Sequence, residues 1–467
     1  MSPAALLRPL GALWVLVALI ALLAALCAAA VQEAHLAPFF VTTAGLAFVP
    51  GTLVLAATRG ILVGASALDA LGLALLAWVT APAFAALPFW LTGYFGPVDA
   101  LFEAYSALTT TGATLLPADE LPRSLIFWRA ILAWLGGFAT LLLAIAVFAA
   151  LDRDVPAIRR SALLTIRPDN VFSHLPMAAR RVALIYAVLT ALTWLFLLLA
   201  GNELFDASVL ALAAISTSGY TPADGGLAVN FGALSTAIVA LGCLAGTVNI
   251  ALFWDVLRDR SVLRDPDFAG IAALVAGLGV LYVIADPGDG PARFLDAFFV
   301  VSTSGYTVAD PASPVPVAAV FVALIGGAAA STTGGVKISR ILLLWRRMGS
   351  ELAILSDPSS IVPVSFRGRP ARDSALIGIW AYVLGFLACL GVGSLALALA
   401  GLDFETAFLA NAAALANTGP LLNETHGGQG WQELTDAAKP ILISAMILGR
   451  LEVLAAVAAI WALFIRK

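Results

Sequence analysis

The chain has 467 residues, 61% of them hydrophobic and 12% charged, with a formal net charge of -4. Soluble domains hold about 25% charged residues and are roughly half apolar, so this composition excludes a soluble globular protein and points to an integral membrane protein. Cys27, Cys243 and Cys389 all lie inside apolar runs, which argues against a disulfide framework or metal cluster, and His35, His174 and His426 are too scattered for a metal site.

Ten long apolar segments follow in chain order: Leu10–Val31, Leu36–Ala57, Leu71–Leu91, Ser124–Leu151, Val182–Ala200, Phe231–Trp254, Phe268–Ala285, Val315–Trp345, Ala375–Ala400 and Ile441–Ile465. Runs of about 20 apolar residues cross a hydrocarbon core of roughly 30 Å, and a helix satisfies its own backbone there, so each is predicted to be a helix. The first ends in small residues, as a signal peptide does, but it exceeds the apolar core of about 7–15 residues usual for one and is read as a retained span.

Basic residues set the predicted orientation. Arg153, Arg159, Arg160, Arg167, Arg180 and Arg181 fill one loop, Arg258, Arg260 and Arg264 the next on that side, and Arg346, Arg347, Arg367, Arg369 and Arg372 another, with Arg466 and Lys467 at the end. Alternate loops hold only Arg123, Arg129, Arg293 and Lys439. The positive-inside rule puts the first set and both termini in the cytoplasm. The opposite face carries Asp119, Glu120, Asp224, Asp310, Glu424 and Glu433, an acidic mouth that would concentrate cations.

Four connections do not read as loops. They are "DALFEAYSALTTTGATLL" from Asp99, "DASVLALAAISTSGYTPAD" from Asp206, "LDAFFVVSTSGYTVAD" from Leu295 and "ETAFLANAAALANTGPLL" from Glu405. Each is an apolar stretch too short to cross that runs into a polar turn around one glycine: Gly112, Gly219, Gly305 and Gly419. Asp99 and Asp206 precede their glycines by 13 residues and Glu405 by 14, and these acids are assigned as caps in the first turn of a half-helix. Asp296 lies only nine residues before Gly305, so the third half-helix is either one turn shorter or starts near Pro291.

The repeating unit is span, half-helix, polar turn, span, written four times after two leading helices. The predicted divisions are 1–62 for the leading helices, then 63–152, 153–258, 259–348 and 349–467 for the repeats. A half-helix of about eleven residues rises roughly 16 Å, half a membrane. Irregular backbone at that depth must be buried in protein or line a water-filled cavity. The expected fold is therefore an all-α polytopic membrane protein with four pseudo-symmetric repeats around a central pore.

Threonine and serine before a glycine can offer backbone carbonyls and some hydroxyls, and rings of such oxygens replace the hydration shell of a monovalent cation. The candidate ligands are Thr110, Thr111 and Gly112; Thr217, Ser218 and Gly219; Thr303, Ser304 and Gly305; and Asn417, Thr418 and Gly419. The fourth turn departs from the rest by placing Asn417 and Pro420 around its glycine.

Two further features lie in later spans. "GGAAASTTGGVK" from Gly326 sets glycine pairs Gly326–Gly327 and Gly334–Gly335 around Ser331, Thr332 and Thr333. It lacks the spacing of a phosphate-binding loop and predicts either a broken helix against a cavity or a close small-residue helix contact. Lys337 closes it, facing the pore wall or an acidic partner. Arg450 falls near the middle of the tenth segment with Glu452 two residues on. A guanidinium at that depth faces a water-filled path or an interhelical salt bridge.

In combination these residues resemble the TrkH/KtrB superfamily of potassium uptake proteins, and within it the TrkH branch, over essentially the whole chain. "ALTTTGATLL" from Ala107 is similar to the first filter loop of that family, and "WRAILAWLGGFATLLLAIAV" from Trp128 to the helix after it. "NIALFWDVLRDR" from Asn249 resembles the end of the second repeat, and "GRLE" from Gly449 the last helix.

The resemblance implies potassium as the transported ion, held only at the filter residues, with glycine at all four turns matching potassium preference. It implies that the segment from Gly326 to Lys337 acts as a gate and Arg450 as an electrostatic barrier. It also implies a homodimer in the lipid of a bacterial cytoplasmic membrane, with cytosolic nucleotide-binding regulatory subunits of TrkA type on the arginine-rich loops. No cofactor, nucleic-acid partner or enzymatic activity is expected of the chain. The rival is a proton- or sodium-coupled secondary transporter of small solutes, disfavoured because such folds usually hold two inverted repeats.

Overall fold

The computed structural model describes residues 3–60, 67–151, 171–256, 264–288, 290–308, 314–360, 362–425 and 430–451. Two helices lead, α1 (Pro3–Ala30) and α2 (Ala37–Ala57). The first unit follows with α3 (Ala67–Ala85), the short α4 (Leu87–Leu91), half-helix α5 (Pro97–Leu108) and α6 (Arg123–Leu151). The second holds α7 (Val171–Leu199), half-helix α8 (Leu204–Ser216), α9 (Leu227–Thr247) and α10 (Ala251–Asp255). The third holds α11 (Pro266–Ala285), half-helix α12 (Gly290–Val301), α13 (Pro316–Ile325) and α14 (Ile338–Ser356). The last holds α15 (Asp373–Leu399), half-helix α16 (Phe404–Leu415), α17 (Pro420–Thr425) and α18 (Ala438–Leu451).

Among the described residues eight helices are long and apolar enough to cross a membrane. Their outer faces show why hydrocarbon must surround them. On α15, Ile377, Leu384, Val392 and Leu399 are exposed, while Tyr382, Phe386 and Leu390 are buried. The half-helices are buried on nearly every side. Alanines on α8 (Ala207, Ala211, Ala213, Ala214) and α16 (Ala407, Ala410, Ala412, Ala413, Ala414) leave little bulk between them and their neighbours.

The remaining two predicted spans differ from a simple crossing. Val315–Trp345 is divided into α13 and α14 with residues 326–337 irregular between them. The tenth is described as far as Leu451, and Glu452 lies outside the described residues. A second break went unpredicted: the sixth segment, read as Phe231–Trp254, stops at Thr247. Val248 is extended and the Asn249 side chain accepts from Ala251 N at 2.9 Å to start α10. The two breaks serve each other. Ala328 N donates to Thr247 O at 3.1 Å and Ile250 N to Ala330 O at 3.1 Å.

One expectation about local structure is corrected and one open alternative is decided. The half-helix α12 begins at Gly290, beside Pro291, and has 12 residues, so it starts early and is not a turn shorter. The first-turn acids are not caps: Gly96 and Glu203 precede α5 and α8 without a side-chain cap, and Asp403, not Glu405, caps α16 by accepting from Thr406 N at 3.0 Å. The Thr406 side chain and amide hold the Asp403 carboxyl below its usual range. Asp99 instead pairs with Lys439 at the start of α18, which also holds Asp436 at 2.7 Å. The all-α fold holds one small antiparallel hairpin, Ser365–Phe366 with Arg369–Pro370, whose Arg367 pairs with Asp265 at 2.7 Å and Asp267 at 2.8 Å at the start of α11.

One carboxylate ties the loop between the leading helices to the start of α6. Glu33, between α1 and α2, accepts from Arg123 N and Ser124 N at 2.9 Å each, and so caps α6 from another part of the chain. Replacing Glu33 with Ala is expected to cost about 1–2 kcal/mol. A lowered melting temperature of the detergent-solubilised protein, partly restored by Gln, is the measurement that checks it.

Candidate functional site

A helix ending inside the membrane leaves carbonyls that water cannot satisfy. All four half-helices resolve this in the same way. The amide one residue before each turn glycine returns to the carbonyl five residues earlier: Thr111 to Ser106 at 2.9 Å, Ser218 to Ala213 at 3.1 Å, Ser304 to Phe299 at 3.1 Å and Thr418 to Ala413 at 2.9 Å. The amide before that bonds three residues back, from Thr110 to Ala107, Thr217 to Ala214, Thr303 to Val300 and Asn417 to Ala414. This is the Schellman arrangement, which demands a left-handed residue at its pivot. That residue is Thr110 (φ 54°), Thr217 (52°), Thr303 (57°) and Asn417 (50°). Left-handed conformation costs a β-branched residue roughly 1–2 kcal/mol, whereas asparagine tolerates it. The odd asparagine of the fourth turn thus keeps the shared conformation.

The left-handed pivots turn these four side chains away from the next residues and into neighbouring elements. Arg450 Nη2 donates to Thr110 Oγ1, and Asn417 Nδ2 donates to Met446 O at 3.1 Å, so α18 holds the first and fourth turns. Thr217 Oγ1 lies 3.2 Å from Thr332 Oγ1, and Gly334 N donates to Thr303 Oγ1 at 3.0 Å, so residues 326–337 hold the second and third. Thr332 is also within reach of Ile215 O (3.1 Å) and Gly246 O (3.0 Å). The hydroxyls one place further on are also engaged, Thr111 with Thr109 at 2.8 Å, Ser218 with Ser216 at 3.2 Å and Ser304 with Ser302 at 2.8 Å.

The turns follow one another around a common centre in chain order. A methyl group on Gly112 would collide with Ser218 O, one on Gly219 with Ser304 O, and one on Gly419 with Ala113 N. Gly112, Gly219 and Gly305 also have φ of 74°, 78° and 62°, which only glycine adopts cheaply. The tyrosines of the repeated "SGYT" link turn to turn. Tyr306 OH donates to Tyr220 O at 3.1 Å, and Tyr220 OH lies 3.4 Å from Ser106 Oγ.

The fourth turn keeps the first half of this geometry and loses the second. Gly419 is not left-handed, and its carbonyl accepts from Trp431 Nε1 at 2.8 Å. Its amide donates to Thr111 O at 2.5 Å. The Pro420 ring lies against the other three glycines: added methyls would fall 2.8 Å from it at Gly219 and Gly305 and 3.5 Å at Gly112. Gly419 is therefore not the equivalent of the other three, although its spacing matched them.

Beneath the turns, Lys337 Nζ donates to Thr333 O and, at 3.1 Å, to Thr333 Oγ1, folding the irregular segment on itself. A cavity of about 40 Å³, room for a water, adjoins Ser331, Thr333, Lys337, Gly449 and Arg450. Arg450 is buried, and its Nε and Nη1 find no partner among the described residues, nor does any described carboxylate pair with it. Sequence reasoning singled out Ser331, Thr333, Lys337 and Arg450 of this lower layer but missed the glycines that seat the half-helices. Gly136, Gly246 and Gly449 lie against Leu108 O, Ile215 O and Leu415 O, each four residues before a turn glycine. The doubled glycine of "AWLGGF" and the one in "GRLE" were the available signals.

This fold and these turns define a class: a helical protein integral to the membrane, whose chain enters it four times by half-helices that do not cross. Within that class the chain belongs to the TrkH family, described as a cation transport protein, which it matches over residues 77–269 and 282–463. The Trk system potassium uptake protein TrkH of Halomonas elongata is 31% identical over 425 residues, 85% of this chain and 86% of its own. That of Escherichia coli K12 is 32% identical over 373 residues, 76% of this chain and 77% of its own. The crystal structure of the potassium transporter TrkH from Vibrio parahaemolyticus matches with a TM-score of 0.85 at 26% identity, covering 100% of this chain and 99% of that one.

Proposed function

We propose that the chain takes up potassium across the bacterial cytoplasmic membrane through its four polar turns. The observation that carries this reading is the fourfold recurrence of a left-handed pivot two residues before each turn glycine. The relatives named as potassium uptake proteins support the choice of ion. Because the pivot and following hydroxyls bond to protein, backbone carbonyls are the proposed ligands, at Thr110 and Gly112 in the first turn, where Thr111 O is shared with Gly419 N, and at Thr217, Ser218, Gly219, Thr303, Ser304 and Gly305. The fourth turn contributes through Asn417 and Thr418 at most, since Gly419 O is held by Trp431. Four similarly built turns favour this over a coupled transporter of small solutes built from two inverted repeats.

Ions would enter from the side of the acidic turns. Asp224 is already committed there, accepting from Ala118 N and Asp119 N at 3.0 Å, while Asp119, Glu120 and Glu433 are exposed. Membrane potential would favour inward movement by about 2.3 kcal/mol per charge per 100 mV. Below the turns, Gly326, Gly327, Ser331, Thr332, Thr333, Gly334, Gly335 and Lys337 form the gate, and Arg450 opposes a passing cation. At about 4 Å and an effective dielectric near 20 two like charges repel by roughly 4 kcal/mol, enough for a barrier. The reading extends to a homodimer with both termini cytoplasmic, regulated by a nucleotide-binding subunit of TrkA type on the arginine-rich face. The chain itself has no catalytic role and takes no cofactor.

Rubidium uptake into proteoliposomes, with and without competing sodium, tests the reading. Replacing Gly219 with Ser puts a side chain at φ 78° against Ser304 O and the Pro420 ring. Rubidium preference over sodium is expected to fall about tenfold or more, since the turn must shift to relieve strain of roughly 1–2 kcal/mol; an unaltered ratio sinks the filter assignment. Replacing Arg450 with Ala is expected to raise rubidium flux about tenfold by lifting part of a barrier of a few kcal/mol. A folded variant with the parent's rate would remove Arg450 from the ion path.

A further inference from the structure

Two buried carboxylates stand nine residues before a turn glycine, Glu103 before Gly112 and Asp296 before Gly305. Each reaches past its own turn to the backbone beyond. Glu103 Oε1 accepts from Leu115 N at 2.7 Å, and Asp296 Oδ1 accepts from Val308 N at 2.8 Å. Leu115 and Val308 hold the same place, three residues past the glycine. An arginine backs each acid: Arg129 Nε donates to Glu103 Oε2 at 2.9 Å, and Arg293 Nη1 to Asp296 Oδ2 at 3.4 Å. Both Arg129 Nη atoms lie 3.2 Å from Leu116 O, so the first pair grips two successive residues of the chain.

The other two turns lack both halves of this contact. In the second, Leu210 stands nine residues before Gly219, and the residue three past is Pro222, which has no N–H. In the fourth, the corresponding residue is Ala410, and Leu422 N is used inside its own turn, donating to Gly419 O at 3.2 Å. A carboxylate is present where the amide needs an acceptor and absent where no free amide exists. Since the turns follow in chain order, the two that carry it face each other across the centre.

We propose that Glu103 and Asp296 are positioning residues, a pair of carboxylate clamps that fix the first and third turns to their own half-helices and so set discrimination between potassium and sodium. The inference rests on the filter reading above. Selectivity of a carbonyl ring depends on how many oxygens meet the ion and how freely the ring contracts around a smaller one. A charge-assisted hydrogen bond in a dry interior resists that contraction better than a neutral bond does.

The test uses the full-length protein in proteoliposomes and reads the sodium concentration that halves rubidium uptake, with size-exclusion profiles to gauge folding. Asp296→Leu combined with Val308→Pro imports the second turn's own pairing. It is expected to lower the sodium required by about tenfold, the scale of one lost charge-assisted hydrogen bond. Glu103→Leu with Arg129→Leu, which leaves no lone buried charge, is expected to act likewise. Asp296→Asn keeps an oxygen for Val308 N but not its charge, and should recover the ratio in part, to within about fivefold of the parent. Folded clamp-free variants with the parent's ratio would overturn the proposal, because a merely structural role lowers the amount of folded protein and not the ratio. Should these variants not fold, amide exchange on the parent decides: protection at Leu115 and Val308 supports the clamp, and rapid exchange there overturns it. A parent with no rubidium preference overturns the filter reading itself, and the clamp's role with it.

Discussion

The termination of a helix halfway through a membrane is the constraint on which the rest of this structure depends. Its last carbonyls have no water to turn to, and each unsatisfied group in hydrocarbon costs several kcal/mol. The Schellman closure answers that demand with two backbone bonds per half-helix, from Thr111 and Thr110 in the first turn and their counterparts in the rest. It requires a left-handed residue, and the left-handed residue aims its side chain away from the centre and into the layer below. From that one requirement follow the contacts of Thr110 with Arg450, of Thr217 with Thr332 and of Thr303 with Gly334.

The pseudo-fourfold arrangement is therefore less uniform than its repeat suggests. The irregular segment between α13 and α14 holds the second and third turns, and α18 holds the first and fourth. Tyrosine links run from the third turn to the second and on to the half-helix of the first, and stop where Pro420 replaces the aromatic ring. The near-identity of "STSGYT" in the middle repeats has this physical basis: those two turns share the same partner below and belong to the same chain of tyrosines above.

Any rearrangement of residues 326–337 must break bonds made directly to the turns, including those of Thr332 to Thr217 and Gly334 to Thr303. It must also release Thr247 and Ile250 at the break in the second unit. This segment and the turns above it form one hydrogen-bonded body, and its glycines give the backbone room to change course.

Much of the fold was legible in the sequence, because spans, half-helices and turns are written in local apolar length and glycine position. The four turns were found from Gly112, Gly219, Gly305 and Gly419, and the broken span from its paired glycines. The first-turn acids misled: Asp99 belongs to Lys439 on α18, a partner 340 residues away. Asp296 looked like a shifted copy of Asp99, whereas its register is that of Glu103, a correspondence visible in the spacing once the contact is known. The end of α9 at Thr247 was hidden inside a continuous apolar run, since its cause is the backbone of Ala328 and Ala330 arriving from another unit. By itself, then, the sequence determined where the chain crosses, where it turns back and which residues stand at the turns, because burial and backbone freedom are local properties. Only the tertiary structure decided what each buried polar group bonds to, and that Pro420 and Trp431 take the fourth turn out of the pattern, because a partner in a dry interior is supplied by whichever distant segment packs there.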